Sequence, residues 1–503
     1  MSLSACIEIK NIAKRIFFVF PRITALCLGG LAKFCFCRGT TVPLLLFPMF
    51  MILLFILKQS PQKNSFGIGF SFGFGYFAST LYWIAESFKC VGLGNYGYIA
   101  VAFLVFYISI YPGIVCYLTK RFATTPLNFS LFFSVFWVLG EYFRGAILIK
   151  FPWNLLGYSC YNIPYFSQIA DIFGVYGISF IILLTISFFT TKKTLIYGIS
   201  LLFITIFYGY YKINLSDNYT TSDSRFMVTL IQPSITHEDK NNANKIKANI
   251  DRHISISSNS KIYHGKRLVI WPEAAVNILA VSQKKIWEYI ASSMKYDDCY
   301  IIAGHDRFDE NGKLYNSLCV LGKDAKIRQI YDKRHLLPFG EFIPEFFLNL
   351  GLRKMTSGII NFSEGKLSRA VKIDGVAQFE VLICYEIAFP GEIVDASGSE
   401  WILNITNDSW FNESDGPIQH MKTSCFRAIE EGKPVIRCAN NGISCIIDCN
   451  GRILKSLKTN EIGKIDVFMP KRYQETFFSI YNNKTILAIL MLFLAFLFFS
   501  RRY

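Results

Sequence analysis

The chain has 503 residues, of which 52% are hydrophobic, 16% aromatic and only 17% charged, with a mean hydropathy of +0.34. This composition excludes an ordinary soluble enzyme, because so much apolar surface has to be buried in lipid. The net charge of +16 does not indicate nucleic-acid binding, since no basic face with interleaved aromatic residues and no nucleic-acid motif accompanies it. Polar residues concentrate between Asn214 and Asn483, which predicts a soluble domain within a membrane protein.

Uncharged apolar runs that can cross, or nearly cross, a bilayer core lie before the polar region and at the C-terminus. A weaker run, Ile16–Leu31, is interrupted by Arg22 and is either a first crossing or an interfacial helix; we favour a crossing. With it, the sequence predicts about eight membrane-spanning helices. The clear runs are Gly39–Leu57, Asn64–Ala85, Val91–Thr119, Phe122–Gly140, Ile172–Thr191, Thr194–Tyr211 and Thr485–Ser500.

The short connections on one side of this arrangement are basic and contain no acidic residue. They carry Lys58 and Lys63, Lys120 and Arg121, Lys192 and Lys193, and the tail residues Arg501 and Arg502. The positive-inside rule places them in the cytoplasm and the polar domain on the opposite face. Lys33 and Arg38 count against this orientation, but the later loops outweigh them. We expect no cleaved signal peptide, because Ile16–Leu31 lacks a small-residue cleavage site.

The outward connection from Glu141 to Asp171 is rich in aromatic residues. It contains Phe151-Pro152-Trp153-Asn154 and a tyrosine-rich stretch that ends near Tyr165. The stretch is either an aromatic belt at the membrane interface or a re-entrant wall of a lipid-facing cavity.

The polar region between Arg225 and Asp466 alternates strand-like and helix-like segments. Runs such as FMVTLIQ, RLVIWPE, CYIIAGH and FEVLICYE are rich in Val and Ile, whereas Lys284–Tyr296 and Ile418–Glu431 have helical spacing. The pattern predicts an α/β layered domain in which helices cover the sheets.

Three of the predicted strands end in residues that form a reactive set: Glu273, Lys333 and Cys384. Sites assemble at strand ends in layered α/β proteins, so these side chains are expected to converge. A carboxylate can remove the proton of a thiol whose pKa is near roughly 8.5. An ammonium can then stabilise the oxyanion of a tetrahedral intermediate. The set predicts acyl transfer through a thioester.

Each of these residues alone also has a structural explanation. A cysteine at a strand end is more often buried filler than a nucleophile, and Lys333 beside Asp332 and Arg334 would ordinarily be a solvated charge cluster. Glu273 would suit the first turn of a helix. The 14 cysteines as a whole have neither a disulfide framework nor the paired spacing of a zinc site, so we expect no metal and no other cofactor.

The sequence around each residue decides between these explanations. WPE at Trp271–Glu273, YDKRHLLPFGEFIP at Tyr331–Pro344 and ICYE at Ile383–Glu386 resemble, in this order, the three catalytic motifs of the nitrilase superfamily. The long lysine motif and the membrane segments resemble its membrane branch, the apolipoprotein N-acyltransferases. The resemblance extends over essentially the whole chain and includes FPWNLLGYS at Phe151–Ser159, NDSWF at Asn407–Phe411, and GPIQH through ANNGIS at Gly416–Ser444.

The resemblance implies an α-β-β-α sandwich domain at 214–483, between an N-terminal membrane domain at 1–213 and a C-terminal helix and tail at 484–503. It implies a monomeric enzyme of the bacterial inner membrane, with this domain on the periplasmic face. The acyl donor would be a membrane phospholipid. The acceptor would be the α-amino group of the diacylglyceryl-cysteine that begins an apolipoprotein.

The resemblance also implies a role for each site residue. Cys384 would be the nucleophile, Glu273 the general base and acid, and Lys333 an oxyanion stabiliser, helped by the backbone from Cys384 to Tyr385. Glu341 would orient Lys333 or share charge stabilisation. Supporting or substrate-binding roles fall to Tyr385, Glu386, Trp410 and Trp153, with Glu386 equally suited to bracing the loop.

One segment departs from the family pattern. After the first strand the family often has Gln-x-Asn-Ile followed by Lys-Trp, whereas here Ser234 replaces the Asn and no Trp is near Asn241. If that Trp normally closes over the substrate, this protein has another cover or a different lipid preference.

Two other functions compete with the acyltransferase. A membrane-tethered amidase or nitrilase would use the same three residues with water as the acyl acceptor, but a small soluble substrate gives no reason for eight helices. A transporter or scaffold would not need all three reactive residues, and ion-coupled carriers usually place ionisable residues in mid-helix.

Overall fold

The computed structural model describes residues 20–37, 42–90, 92–217, 222–258, 263, 265–276, 283–296, 298–343, 361–393 and 398–499. The predicted start of the first membrane segment, Arg38, Pro344 and the basic tail lie outside these residues. The chain divides into two compact units. The first comprises the stretches up to Ala85, from Asn95 to Tyr211 and from Asn483 onward. The second comprises Glu86–Gly94 and Lys212–Asn482.

The first unit is helical. Three of its described helices, Tyr96–Phe122, Ala170–Phe189 and Leu195–Ser216, are long and apolar enough to cross a membrane, and Pro43–Gln59 and Lys484–Phe499 are shorter apolar helices. Eight crossings are therefore not established. The helix Pro126–Ala146, for example, carries Glu141 and Arg144. The helices of this unit, with the short ones included, are Pro21–Gly30, Lys33–Phe36, Pro43–Leu45, Leu46–Gln59, Gln62–Leu81, Tyr82–Ile84, Tyr96–Phe122, Pro126–Ala146, Leu156–Asn162, Pro164–Ser167, Ala170–Phe189 and Lys484–Phe499. The helix Leu195–Asp217 also begins in this unit, and its residues from Lys212 onward belong to the second.

The second unit contains two six-stranded sheets, with strand order β12-β1-β2-β3-β4-β5 and β11-β10-β9-β8-β7-β6. The first sheet comprises β1 (Ser222–Gln232), β2 (Lys266–Ile270), β3 (Cys299–Phe308), β4 (Leu314–Gly322), β5 (Ile327–Asp332) and β12 (Gly463–Pro470). The second comprises β6 (Ala370–Val371), β7 (Phe379–Ile383), β8 (Trp401–Thr406), β9 (Val435–Ala439), β10 (Cys445–Ile447) and β11 (Ile453–Ser456).

The two sheets share one hydrophobic core and carry helices on their outer faces. Leu230 and Ile270 of the first sheet lie in the same buried cluster as Val381 and Leu403 of the second. A separate cluster joins the first sheet to the helices Ile246–Ser258 and Gln283–Ser293. The helix Gly416–Glu431 contacts β9 and β10 of the second sheet. The layers are thus helix, sheet, sheet, helix, which confirms the predicted α/β domain. Its other helices are Ala85–Cys90, His237–Asn241, Ala243–Lys245, Cys384–Ala388, Asp408–Phe411 and Phe477–Tyr481.

The strand directions bring the predicted reactive residues to one edge of each sheet. In the first sheet β2 and β3 are parallel, β4 is antiparallel to both of its neighbours, and β5 therefore runs in the direction of β2. Glu273 and Lys333 follow the carboxyl ends of β2 and β5. They therefore lie at the same edge of the sheet, which is also the edge where β4 begins. In the second sheet β7 and β8 are parallel, so Cys384 and Asn407 follow their strands at the same edge.

Candidate active site

Cys384 occupies a sharp turn directly after β7. Its φ is +51°, a left-handed conformation that costs energy for a residue with a side chain and occurs mainly where surrounding structure enforces it. The helical turn Cys384–Ala388 follows at once, and Ile383 N donates to Glu386 Oε2 at 2.7 Å. The turn places Cys384, a partly exposed residue, at the sheet edge on a fixed support.

Lys333 lies between two carboxylates. Its Nζ is 2.9 Å from Glu341 Oε1 and 3.6 Å from Glu273 Oε1, and the lysine side chain is only 2% exposed. Asn316, near the start of β4, donates from Nδ2 to Glu273 Oε1 at 2.8 Å and to Glu341 Oε1 at 2.9 Å. Asn407 N donates to the other oxygen of Glu273 at 2.8 Å. Both carboxylates are therefore held in place by amide donors as well as by the ammonium.

The electrostatics of the three predicted catalytic residues are coupled. Burial, and then the negative charge of Glu273, raises the pKa of the Cys384 thiol above its ordinary value, while Lys333 opposes this. Burial would lower the pKa of Lys333, but Glu341 and Glu273 outweigh it and the net shift is upward. The resting site therefore has a neutral thiol, a charged ammonium and a nearby carboxylate that can accept the thiol proton.

Glu386 joins the cysteine turn to the lysine segment. Besides the bond from Ile383 N, its carboxylate accepts from Arg334 N at 2.9 Å, from His335 N at 3.2 Å and from the Tyr331 hydroxyl at 2.8 Å. It is 1% exposed. Of the two roles open to it in the sequence, these contacts favour bracing the loop.

The remaining predicted site residues lie in three different settings. Tyr385 is buried, with its ring edge-on to Phe389 at 5.1 Å between centroids. Trp410 lies in the turn Asp408–Phe411 of the second unit, where Cys90 Sγ contacts its carbonyl oxygen at 3.7 Å. Trp153 belongs to the first unit, where it is buried against Trp83 at 5.6 Å between ring centroids. Its proposed substrate role stays a prediction.

The segment that departs from the family pattern contains an aromatic contact of its own. The ring of His237 lies 4.1 Å from that of Trp410, and Asn241 Nδ2 contacts His237 Nε2 at 3.0 Å. Lys240 donates to the carbonyl oxygen of Glu273 at 3.1 Å and lines a small pocket beside it. In this segment the ring of His237 therefore packs against Trp410 of the NDSWF turn.

Sequence reasoning missed several residues that hold the site together. Asn316 carries no motif signal, because its partners come from distant strands and a turn. Asp408 and His420 lie in the NDSWF and GPIQH segments that supported the resemblance, but the sequence did not predict that Asp408 Oδ1 and His420 Nδ1 lie 3.1 Å apart. Among the described residues, no three His, Cys, Asp or Glu side chains are grouped so that they could hold a metal ion.

Comparison with known proteins defines the class of the second unit first. The carbon-nitrogen hydrolase profile matches residues 227–474, which contain both sheets except the start of β1, together with Glu273, Lys333 and Cys384. Similar solved structures include Nit3 of Saccharomyces cerevisiae, a nitrilase-superfamily member (18% identity, 52% of this chain and 96% of that chain, TM-score 0.35). Another is an amidase from Nesterenkonia sp. (15% identity, 50% of this chain and 94% of that chain, TM-score 0.34). The second unit therefore matches the carbon-nitrogen hydrolase family by its sequence profile.

The first unit and the full-length relatives identify the family. The apolipoprotein N-acyltransferase N-terminal domain profile matches residues 28–188. The chain is 33% identical to the apolipoprotein N-acyltransferase of Rickettsia bellii, over 93% of this chain and 95% of that protein. It is 31% identical to that of Geobacter metallireducens, over 80% of each. The chain belongs to the apolipoprotein N-acyltransferase family.

Proposed function

We propose that this enzyme moves a fatty acyl chain from a membrane phospholipid to the α-amino group of the N-terminal diacylglyceryl-cysteine of an apolipoprotein. Family membership supports acyl transfer. The observation that carries the mechanism is the buried ion pair between Lys333 and Glu273, 3.6 Å apart, acting on the thiol of Cys384. The products are a lysophospholipid and a triacylated lipoprotein.

The first half-reaction acylates the enzyme. Glu273 takes the proton of the Cys384 thiol while the sulfur attacks the ester carbonyl of the phospholipid. Lys333 and the Tyr385 backbone N–H stabilise the oxyanion of the tetrahedral intermediate. The C–O bond then breaks, and the departing alkoxide takes its proton from Glu273. A thioester and a lysophospholipid result.

The second half-reaction releases the product. The α-amine of the apolipoprotein attacks the thioester, Glu273 receives a proton from the amine, and the C–S bond breaks. The departing sulfur regains a proton and the amide is complete. Because the donor product leaves before the acceptor enters, the kinetics are ping-pong. Glu341 keeps Lys333 in place throughout, at 2.9 Å.

The location follows from the lipid character of both substrates. We place the catalytic domain, 214–483, on the periplasmic face of the inner membrane, anchored by about eight helices in 1–213 and 484–503, as a monomer. The basic connections at Lys58, Lys120 and Lys192 support cytoplasmic loops on the other side. A reporter fused after Tyr211 is expected to be active outside the cytoplasm, and a cytoplasmic signal would contradict this topology.

The decisive experiment follows the acyl group. Full-length protein incubated with phospholipid carrying a labelled acyl chain is expected to form a hydroxylamine-sensitive adduct at Cys384, and Cys384→Ser is expected to form no thioester. Addition of a diacylated lipoprotein peptide should move the label to the peptide and raise its number of acyl chains from two to three by mass. Release of free fatty acid without transfer would instead favour the hydrolase alternative.

A further inference from the structure

The carbonyl oxygen of Cys384 has two side-chain donors that the proposed mechanism does not use. His420 Nε2 lies 3.0 Å from this oxygen, and Asn404 Nδ2, which also donates to the carbonyl oxygen of Leu382 at 3.1 Å, lies 3.4 Å from it. His420 comes from the helix Gly416–Glu431 and Asn404 from β8, so two separate elements converge on one peptide group. His420 is 1% exposed and Asn404 is fully buried.

The hydrogen on His420 Nε2 is fixed by its surroundings. A carbonyl oxygen can only accept, so Nε2 must donate. The other ring nitrogen, Nδ1, is 3.1 Å from Arg437 Nη2 and 3.1 Å from Asp408 Oδ1. If Nδ1 accepts from Arg437, the ring is neutral and its hydrogen is on Nε2. If Nδ1 donates to Asp408, the ring carries both hydrogens. Both arrangements leave the hydrogen that the Cys384 carbonyl requires.

Arg437 holds both donors in position. Its Nη1 donates to Asn404 Oδ1, and its Nη2 donates to Asp408 Oδ2 at 2.8 Å. Arg437 and Asn404 are directly paired residues of the neighbouring strands β9 and β8. Arg437 and Asp408 are both fully buried, and removing one partner of a buried charged pair is costly. The donors therefore cannot turn away from Cys384 without disrupting this buried network.

The position of the Cys384 carbonyl determines where the next N–H points. In a planar trans peptide the C=O and N–H bonds point in opposite directions. The N–H of Tyr385 therefore points away from His420 and Asn404. We propose that His420 and Asn404, held by Arg437, orient the peptide between Cys384 and Tyr385 so that its N–H faces the oxyanion. They are positioning residues, and the inference rests on the proposed thioester mechanism.

Two reactions of the same thiol separate this role from general support of the turn. Acylation by phospholipid passes through an oxyanion, whereas alkylation by iodoacetamide does not. We compare full-length wild type with His420→Leu, which removes the donor, and His420→Gln, which retains an N–H. The acyl donors are labelled phosphatidylethanolamine and phosphatidylglycerol, and alkylation is read at the Cys384 peptide by mass spectrometry.

His420→Leu is expected to slow acylation by roughly 10-fold or more, approaching the loss of an oxyanion donor, and to change alkylation by less than about 2-fold. His420→Gln is expected to remain within about 3-fold of wild type in both reactions. If His420→Leu does not fold, Asn404→Asp serves instead, because it keeps the shape of the side chain and the acceptor for Arg437 but removes the donor. It is expected to slow acylation while leaving the alkylation rate nearly unchanged.

Three results would overturn the inference. Acylation and alkylation that fall together would mean that these residues support the whole turn rather than the oxyanion donor. Unchanged acylation in both donor-removing variants would show that the peptide needs no such orientation. Wild-type protein that is alkylated at Cys384 but never acylated would refute the proposed function, and this inference with it.

Discussion

Substitution of Glu386 by Gln tests whether the link between the cysteine turn and the lysine segment sustains catalysis. One oxygen of the carboxylate accepts from Arg334 N and His335 N, the other accepts from Ile383 N, and the Tyr331 hydroxyl lies 2.8 Å from the first and 3.0 Å from the second. An amide has one acceptor oxygen. If that oxygen accepts from the lysine segment, the amide NH₂ faces the N–H of Ile383. Two donors then oppose each other at the residue immediately before the nucleophile.

The magnitude follows from these contacts. An unpaired buried N–H costs about 1–3 kcal/mol. Arg369 Nη2, 3.6 Å from Glu386 Oε1, also loses a charged partner. The Coulomb attraction between the two groups is roughly 4–5 kcal/mol at an effective dielectric constant of about 20. Part of this loss is offset, because a neutral amide costs less to bury than a carboxylate. We expect the free energy of unfolding to fall by about 2–4 kcal/mol and acylation per folded molecule to fall by roughly 10-fold, because the cysteine turn is no longer tied to the lysine segment.

The assay measures thermal unfolding and acyl-adduct formation on the same full-length sample. Glu392→Gln is the matched control. Glu392 pairs with His335 of the same segment at 2.7 Å, but its side chain is 51% exposed, so its loss should cost less than about 1 kcal/mol. Normal acylation by folded Glu386→Gln protein would refute the reasoning and leave Glu386 with a role in stability alone.

Three further predictions concern charge. Lys333→Met should lower acylation by about 100-fold or more yet leave Cys384 open to alkylation, and equal losses would argue against oxyanion stabilisation. Because burial and then Glu273 raise the pKa of Cys384, its alkylation rate should still be increasing at about pH 9, so a plateau near neutral pH would contradict this assignment. Burial would raise the pKa of Asp408, but Arg437 and then His420 lower it to about 2 from 3.8. Its contribution of roughly 2 kcal/mol is thus present above about pH 4 and lost as the pH falls toward 2, and Asp408→Asn should flatten that part of the stability curve.

In the membrane part, hydropathy identifies the apolar segments but does not determine how many of them cross the bilayer. It identifies apolar segments, and helices do occupy 46–59, 96–122 and 170–189. It does not establish which of them cross, because length and composition single out three of the described helices rather than eight. By its contacts the segment Glu86–Gly94 groups with the second unit, where Cys90 contacts the carbonyl oxygen of Trp410.

The sequence by itself determined the family and the nature of the reactive groups. The motifs around Glu273, Lys333 and Cys384 are contiguous, and each reactive residue follows its strand within a few positions, so local pattern was sufficient. The layered α/β character was also readable, because strands buried on both faces leave continuous runs of Val and Ile.

Only the tertiary structure decided how these groups are held. Asn316 bridges Glu273 and Glu341 across 43 and 25 residues, and His420 reaches the Cys384 carbonyl across 36. Such bonds depend on strand order, register and the packing of a helix on a sheet, none of which has a local signature. Burial makes them consequential, because a polar group removed from water must find its partner within the fold.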